Sequence, residues 1–285
     1  MRYQLHAGFL SLLFVSGTLW GQPAMCTQDT VVGTYALAYQ GYIIMTPPGA
    51  TAPIPVPGVG LELLAIDSQG TITGNVYQNF GGQGSNFPMP GKITVNADCT
   101  ALVDWGGGVT GAIIVEQEGA SMHSVMMSAG AMGKPIVHGQ WKRISRIPNT
   151  IAPAQCSPAD VSGMYVFKQQ GITIVPVLGS PSPIPLALVG LASFGYDGAI
   201  AGEGTISMGG TPSDLGFSNG SVVANSDCSG TIKADVVSGS RDLGAMQASF
   251  IALEGGNELW SVQTQDPEGA PIMLGTWMRI SPMPH

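Results

Sequence analysis

A chain of 285 residues with only 10% charged side chains, 41 glycines and 21 prolines has little of the material from which helices are built. Its surplus of Gly, Thr, Ser and Val belongs to short strands and tight turns, in one or two domains. The net charge of −8, spread along the chain, offers no attraction to phosphate backbones, so nucleic acid is excluded as a partner.

Residues 1–24 read as a signal peptide: Arg2 and His6 precede an apolar run from Ala7 to Trp20. That run is shorter than the ~20 apolar residues of a membrane span, and no other stretch qualifies as a transmembrane segment. A secreted protein, extracellular or periplasmic, is expected. Residues 25–146 then divide into eight strands, near 33–45, 60–67, 70–80, 91–97, 100–106, 111–118, 122–129 and 135–145. The joints are turn signals such as DSQG (67–70) and Glu118-Gly119, short enough for antiparallel hairpins in chain order. One connection is long, the proline-rich, uncharged segment 46–58. After a linker at 147–155, residues 156–285 give strands near 163–175, 186–195, 198–207, 216–225, 229–237, 245–254, 257–264 and 272–281. Again the first connection, 176–185, is rich in proline.

The two halves are copies of each other. CTQDTVVGTY (26–35) returns as CSPADVSGMY (156–165), DSQGTITG (67–74) as YDGAIAG (196–202), VNADCT (95–100) as ANSDCS (224–229), and GQWKRIS (139–145) as GTWMRIS (275–281). Four landmarks in one order establish a duplication, with length differences confined to loops. Four cysteines allow three pairings, and the duplication selects Cys26–Cys99 and Cys156–Cys228 as disulfides. Free thiols or a metal site are the alternative, but no C-x-x-C motif or histidine partner accompanies them. Eight sequential antiparallel strands per copy can close into an up-and-down barrel, so the expected fold is all-β, two tandem eight-stranded barrels, with β-sandwiches as the alternative.

Few side chains suggest chemistry. Asp67, Asp98, Asp197 and Asp227 recur in both copies at tight turns, where aspartate caps backbone amides. His123 and His138 have no counterparts in the second copy, and His285 is terminal. Met122, Met126, Met127 and Met132 cluster near one strand pair, which suits either a core or an adaptable pocket. Gly106, Gly107 and Gly108 make a turn, Lys142, Arg143 and Arg146 mark a strand end, and Asn219 opens a glycosylation sequon. No catalytic, cofactor or metal motif appears.

Gly33-Thr-Tyr35 with Arg143, and Gly163-Met-Tyr165 with Arg279, resemble the calycin group that includes the lipocalins. There a first-strand aromatic is covered by a basic side chain from the last strand. The resemblance implies that these pairs close each barrel by cation–π stacking, with the proline-rich segments as lids over the mouths. The chain departs from lipocalins in its Tyr, its lack of a C-terminal helix and its duplication. It is also similar to the allene oxide cyclase barrel, a closed module around an apolar cavity. The leading expectation is a non-catalytic tandem barrel that binds a small apolar ligand or a protein surface. A structural or adhesive envelope protein, suggested by the two-sided apolar run 186–192, is the first alternative. An allene-oxide-cyclase-like isomerase is the second; there Glu62, an acid inside an apolar strand, is the residue to inspect.

Overall fold

Hairpin-length joints between alternating strands leave each copy one economical solution, a sheet that curls until its first and last strands meet and no edge is left open. The computed structural model describes residues 25–46, 51–146, 156–177, 180–239, 241–265 and 269–282. The expected signal peptide, the 147–155 linker and His285 lie outside them. The first copy contains β1 (Gly33–Met45), β2 (Ile54–Ile66), β3 (Thr71–Phe80), β4 (Gln83–Pro88), β5 (Gly91–Val95), β6 (Thr100–Asp104), β7 (Val109–Glu116), β8 (Ser121–Ala129) and β9 (Lys134–Ser145). The second contains β10 (Gly163–Val177), β11 (Ser180–Phe194), β12 (Ala199–Met208), β13 (Thr211–Ala224), β14 (Ser229–Ser238), β15 (Arg241–Leu253), β16 (Glu258–Gln265) and β17 (Ala270–Ser281).

Both copies close. β10 to β17 form a ring in chain order, and in the first copy β1 pairs with both β9 and β2, which in turn pairs with β3. β4 and β5 are two pieces of one strand, interrupted at Met89-Pro90, and both pair with β3. Each barrel is therefore eight-stranded and antiparallel, and sandwiches do not form.

From Ile54 and from Ser180 onward the proline-rich segments are strand, residues 47–50 and 178–179 lying outside the described residues. β2 begins at Ile54 and β11 at Ser180, and their registers against β1 and β10 run unbroken to Met45↔Ile54 and Val177↔Ser180. The reason lies in the spacing. Pro55 and Pro57, like Pro181, Pro183 and Pro185, fall on every second residue, so all the missing N–H groups face one side. The Pro57 and Pro185 carbonyls accept from Gly81 and Gly209, on the β3 and β12 side. A residue's N and O point the same way in a strand, so the ladder to β1 or β10 loses no donor. The outer edge, deprived of donors, is also protected against pairing with another chain.

One end of each barrel is plugged by a short turn before the first strand, a 3₁₀ turn at Gln28–Val31 in the first copy, and by the disulfide. Cys26 bonds Cys99 and Cys156 bonds Cys228, each tying the segment before the first strand to a turn further on. Tyr35 and Arg143 are register partners, as are Tyr165 and Arg279. Their contacts are with oxygens. Tyr35 Oη donates to the Gly119 carbonyl at 2.8 Å, and Arg143 donates to the Tyr35 hydroxyl (3.4 Å) and to the Thr30 and Glu118 carbonyls (2.9 Å each). In the second copy Tyr165 donates to Gly256, while Arg279 reaches the carbonyls of Asp160, Ser162 and Gly255 and the Asn257 side chain. These carbonyls belong partly to left-handed turns, Gln117 to Gly119 and Glu254 to Gly256, which the guanidinium holds in place. Arg279→Ala should cost about 2–3 kcal/mol in chemical denaturation, because several carbonyls lose a charged donor at once. A loss below 0.5 kcal/mol would show that the plug holds itself.

The barrels pack side by side. Val59, Leu61 and Leu63, on the outer face of β2, meet Trp260, Val262 and Ile272 of the second barrel. Lys142 bridges to Glu254 and Glu258 across the same seam. This explains why β2 is apolar on both faces.

Candidate functional site

Alternation along β1 to β3 turns Leu37, Tyr39, Gly58, Gly60, Glu62, Val76, Gln78 and Phe80 toward the interior of the first barrel. Two of these positions lack side chains. A Cβ on Gly60 would stand 2.0 Å from the Tyr39 ring, and one on Gly58 would stand 2.0 Å from the Phe80 ring. The rings lie on bare backbone, and the space they vacate at the centre becomes a cavity of about 230 Å³. Leu37, Trp105, Met126, Val137 and Trp141 line it, with Tyr39, Glu62, Gln78, Thr110, Ser124 and His138 among its polar members.

Glu62 is 2% exposed, and its Oε2 has no hydrogen-bond partner. Burial without compensation favours the neutral acid and pushes its pKa up to about 8. Tyr39 donates its proton to Gln78 Oε1 at 3.0 Å, so that hydroxyl gives nothing to the carboxyl. Burial, and then the neighbouring Glu62 charge, push the Tyr39 hydroxyl well above its usual range.

The barrel wall is thin at one place. β4 pairs with β3, while β6 stops at Asp104 and leaves β4 without a partner on its other side. In the second copy Gly216 to Ser218, which match Pro88 to Pro90, pair with Val237 to Asp235, so the contrast between the copies lies at the Pro88–Pro90 end of β4. Phe87 and Met89 border this gap on one side and Trp105 and Val109 on the other, and all four line the cavity. Trp105 stacks on Trp141, with ring centroids 5.8 Å apart and 8° between the planes, and lies over Gly91.

The second barrel is built oppositely. Its register places Leu186, Leu188 and Gly190 where the first has Gly58, Gly60 and Glu62. The leucines fill the centre, and the Phe167 ring lies against Gly190, 2.7 Å from where a Cβ would stand. Phe167, Phe194 and Trp277 pack ring against ring within 5.5 Å. Ile206 replaces Gln78, and a buried Gln169 stands where the first barrel has Tyr39.

The other sequence candidates take structural places. Asp67 Oδ1 accepts from the Thr71 and Gln69 amides, and the first of these chiefly holds its pKa below the usual range. Asp98 and Asp227 cap Thr100 and Ser229, and Asp197 caps Ala199. His123 and His138 are on the exposed outer wall, His123 being 3.6 Å from Glu116. Gly106, Gly107 and Gly108 form a left-handed turn. Met126 and Met132 line the cavity, Met122 is fully buried, and Met127 is exposed. Asn219 sits in a bulge of β13, exposed, with its amide on Asp235. In the run 186–192, Val189 and Leu191 face solvent. Tyr39, Gln78 and Trp105 were not singled out from sequence. The signal that would have found them is the contrast of Gly58 and Gly60 with Leu186 and Leu188 between the copies.

No family model matches the chain, and no curated protein matches it. Among solved structures it is similar to a protein of unknown function from the DUF3598 family of Nostoc punctiforme PCC 73102. That similarity has 10% identity and a TM-score of 0.22, over 90% of this chain and 99% of the other. Among the described residues, no helix is long and apolar enough to cross a membrane.

Proposed function

We propose that the first barrel holds a small, largely apolar molecule and that the second is the scaffold against which it is built, in a calycin-like protein that works in an oxidising compartment such as the periplasm or cell exterior. One observation carries this reading: equivalent positions of two copies are hollow and acidic in one and filled in the other. A packed barrel is the more stable arrangement, so a cavity with a buried carboxyl is retained at a cost. The cavity is small beside the roughly 300–1,000 Å³ of pockets for drug-sized ligands, which suits a compact ligand of one or two rings or a short chain. The disulfides support the compartment. Calorimetric titration with 2-ethylnaphthalene tests the cavity. Uptake of one equivalent is expected in the parent protein and none in Gly58→Leu, which drives the Phe80 ring into the space. A parent protein that takes up nothing refutes the reading.

Glu62 favours a second reading, an isomerase of the allene-oxide-cyclase type in which the cavity steers an already reactive substrate. Its inward, buried position is what that chemistry needs. Recovery of the bound ligand chemically unchanged separates simple holding from turnover.

A further inference from the structure

In the first copy the buried Gln28 Nε2, Asn79 Oδ1 and Glu62 Oε2 have no hydrogen-bond partner, and of these residues Glu62 lines the cavity. A neutral carboxyl carries one O–H donor, and a buried donor without a partner costs free energy until something accepts from it. Glu62 Oε2 makes no hydrogen bond within the fold, while Tyr39 gives its own proton to Gln78 Oε1 at 3.0 Å. Around the carboxyl, β1 presents Leu37 and Tyr39, β3 presents Val76 and Gln78, and β9, across the cavity, presents Val137 and Trp141. Tyr39 is the titratable side chain among these. His138 borders the cavity from the outer face, and no lysine, arginine or other carboxylate lines it among the described residues.

We infer that the ligand is an uncharged molecule with an apolar body and one hydrogen-bond acceptor, a carbonyl or ether oxygen, seated against the Glu62 carboxyl. This rests on the reading of the first barrel as a receptor. Anions find no cation in the cavity. A protonated amine would need Glu62 ionised, and an ion pair in so dry a site must recover the desolvation of both charges with few other donors or acceptors at hand. A neutral acceptor asks for neither: the acid is already in the form that donates. Above pH 8 the donor is lost and a charge takes its place, so acceptor binding weakens.

The test is calorimetric titration of the protein with three probes of one shape, 2-acetylnaphthalene, 2-ethylnaphthalene and 1-(2-naphthyl)ethylamine. At pH 6.5 the ketone should bind roughly tenfold tighter than the hydrocarbon. This preference should fall away between pH 7 and 9. Glu62→Gln, whose amide still donates, should keep the preference and lose its pH dependence. Glu62→Leu should lose the preference and still bind the hydrocarbon. Equal binding of ketone and hydrocarbon overturns the inference while the receptor reading stands. Tightest binding of the amine overturns it in favour of a cationic ligand. Binding of none of the three ends both.

Discussion

Replacing Cys156 and Cys228 together with serine should destabilise the protein by about 4 kcal/mol and lower its melting temperature by roughly 10 °C or more. The bond joins residues 72 apart in sequence, and the entropy an open loop of that length regains in the unfolded chain sets the magnitude. Its place in the fold adds a second effect. Cys228 stands in the left-handed conformation at φ 65° in the turn between β13 and β14, and its carbonyl accepts from Ala252 at 2.8 Å. Cutting the bond frees both the turn and the segment that leads into the plug. Cys26–Cys99 repeats each feature, down to Cys99 at φ 64° and its carbonyl on Val115. The single variant Cys228→Ser should match the double variant in thermal unfolding followed by circular dichroism. A loss under 1 kcal/mol would mean that the unfolded chain is already confined by other means.

What could be read from sequence is what depends on short-range pattern. The duplication, the disulfide pairing, the aspartate-capped turns and most strand positions follow from local signals, and closure follows from hairpin joints. The misreadings have physical causes. Proline normally argues against a strand, yet alternate prolines satisfy a hairpin whose outer edge has no neighbour, so β2 and β11 start earlier than composition suggests. β4 was missed because its six residues are all exposed and lack an apolar alternation. Whether a barrel is hollow depends on which side chains cross its centre, a sum over several strands. Gly58 and Gly60 gain meaning only once Tyr39 and Phe80 are seen to lie on them. The inter-barrel seam was hidden for the same reason, since an apolar outer face on β2 names no partner by itself.

Glu62 makes the stability of the protein fall as pH rises, and Glu62→Gln should abolish that dependence. The carboxyl goes from an ordinary value of 4.5 to about 8 in the folded protein because burial removes its water and no donor replaces it. Between those values the folded state holds a proton that the unfolded chain has released. Stability therefore decreases with pH across the window. The favourable state is fully present below about pH 4.5 and is lost progressively up to about pH 8, beyond which both states are ionised and the slope vanishes. At about 1.4 kcal/mol per unit, the whole window amounts to something on the order of 5 kcal/mol. The capped carboxylates such as Asp67 titrate at lower pH and with opposite sign, since their hydrogen bonds favour the charged form. They are common to both proteins, so the difference between parent and Glu62→Gln isolates the buried acid. Urea denaturation at pH 5 and pH 8.5 should show the gap between the two proteins shifting by several kcal/mol in favour of the variant at the higher pH. A gap that stays constant would mean that water reaches Glu62, and the cavity would then be a wet cleft rather than the dry, acid-bearing chamber on which the choice of a neutral ligand depends.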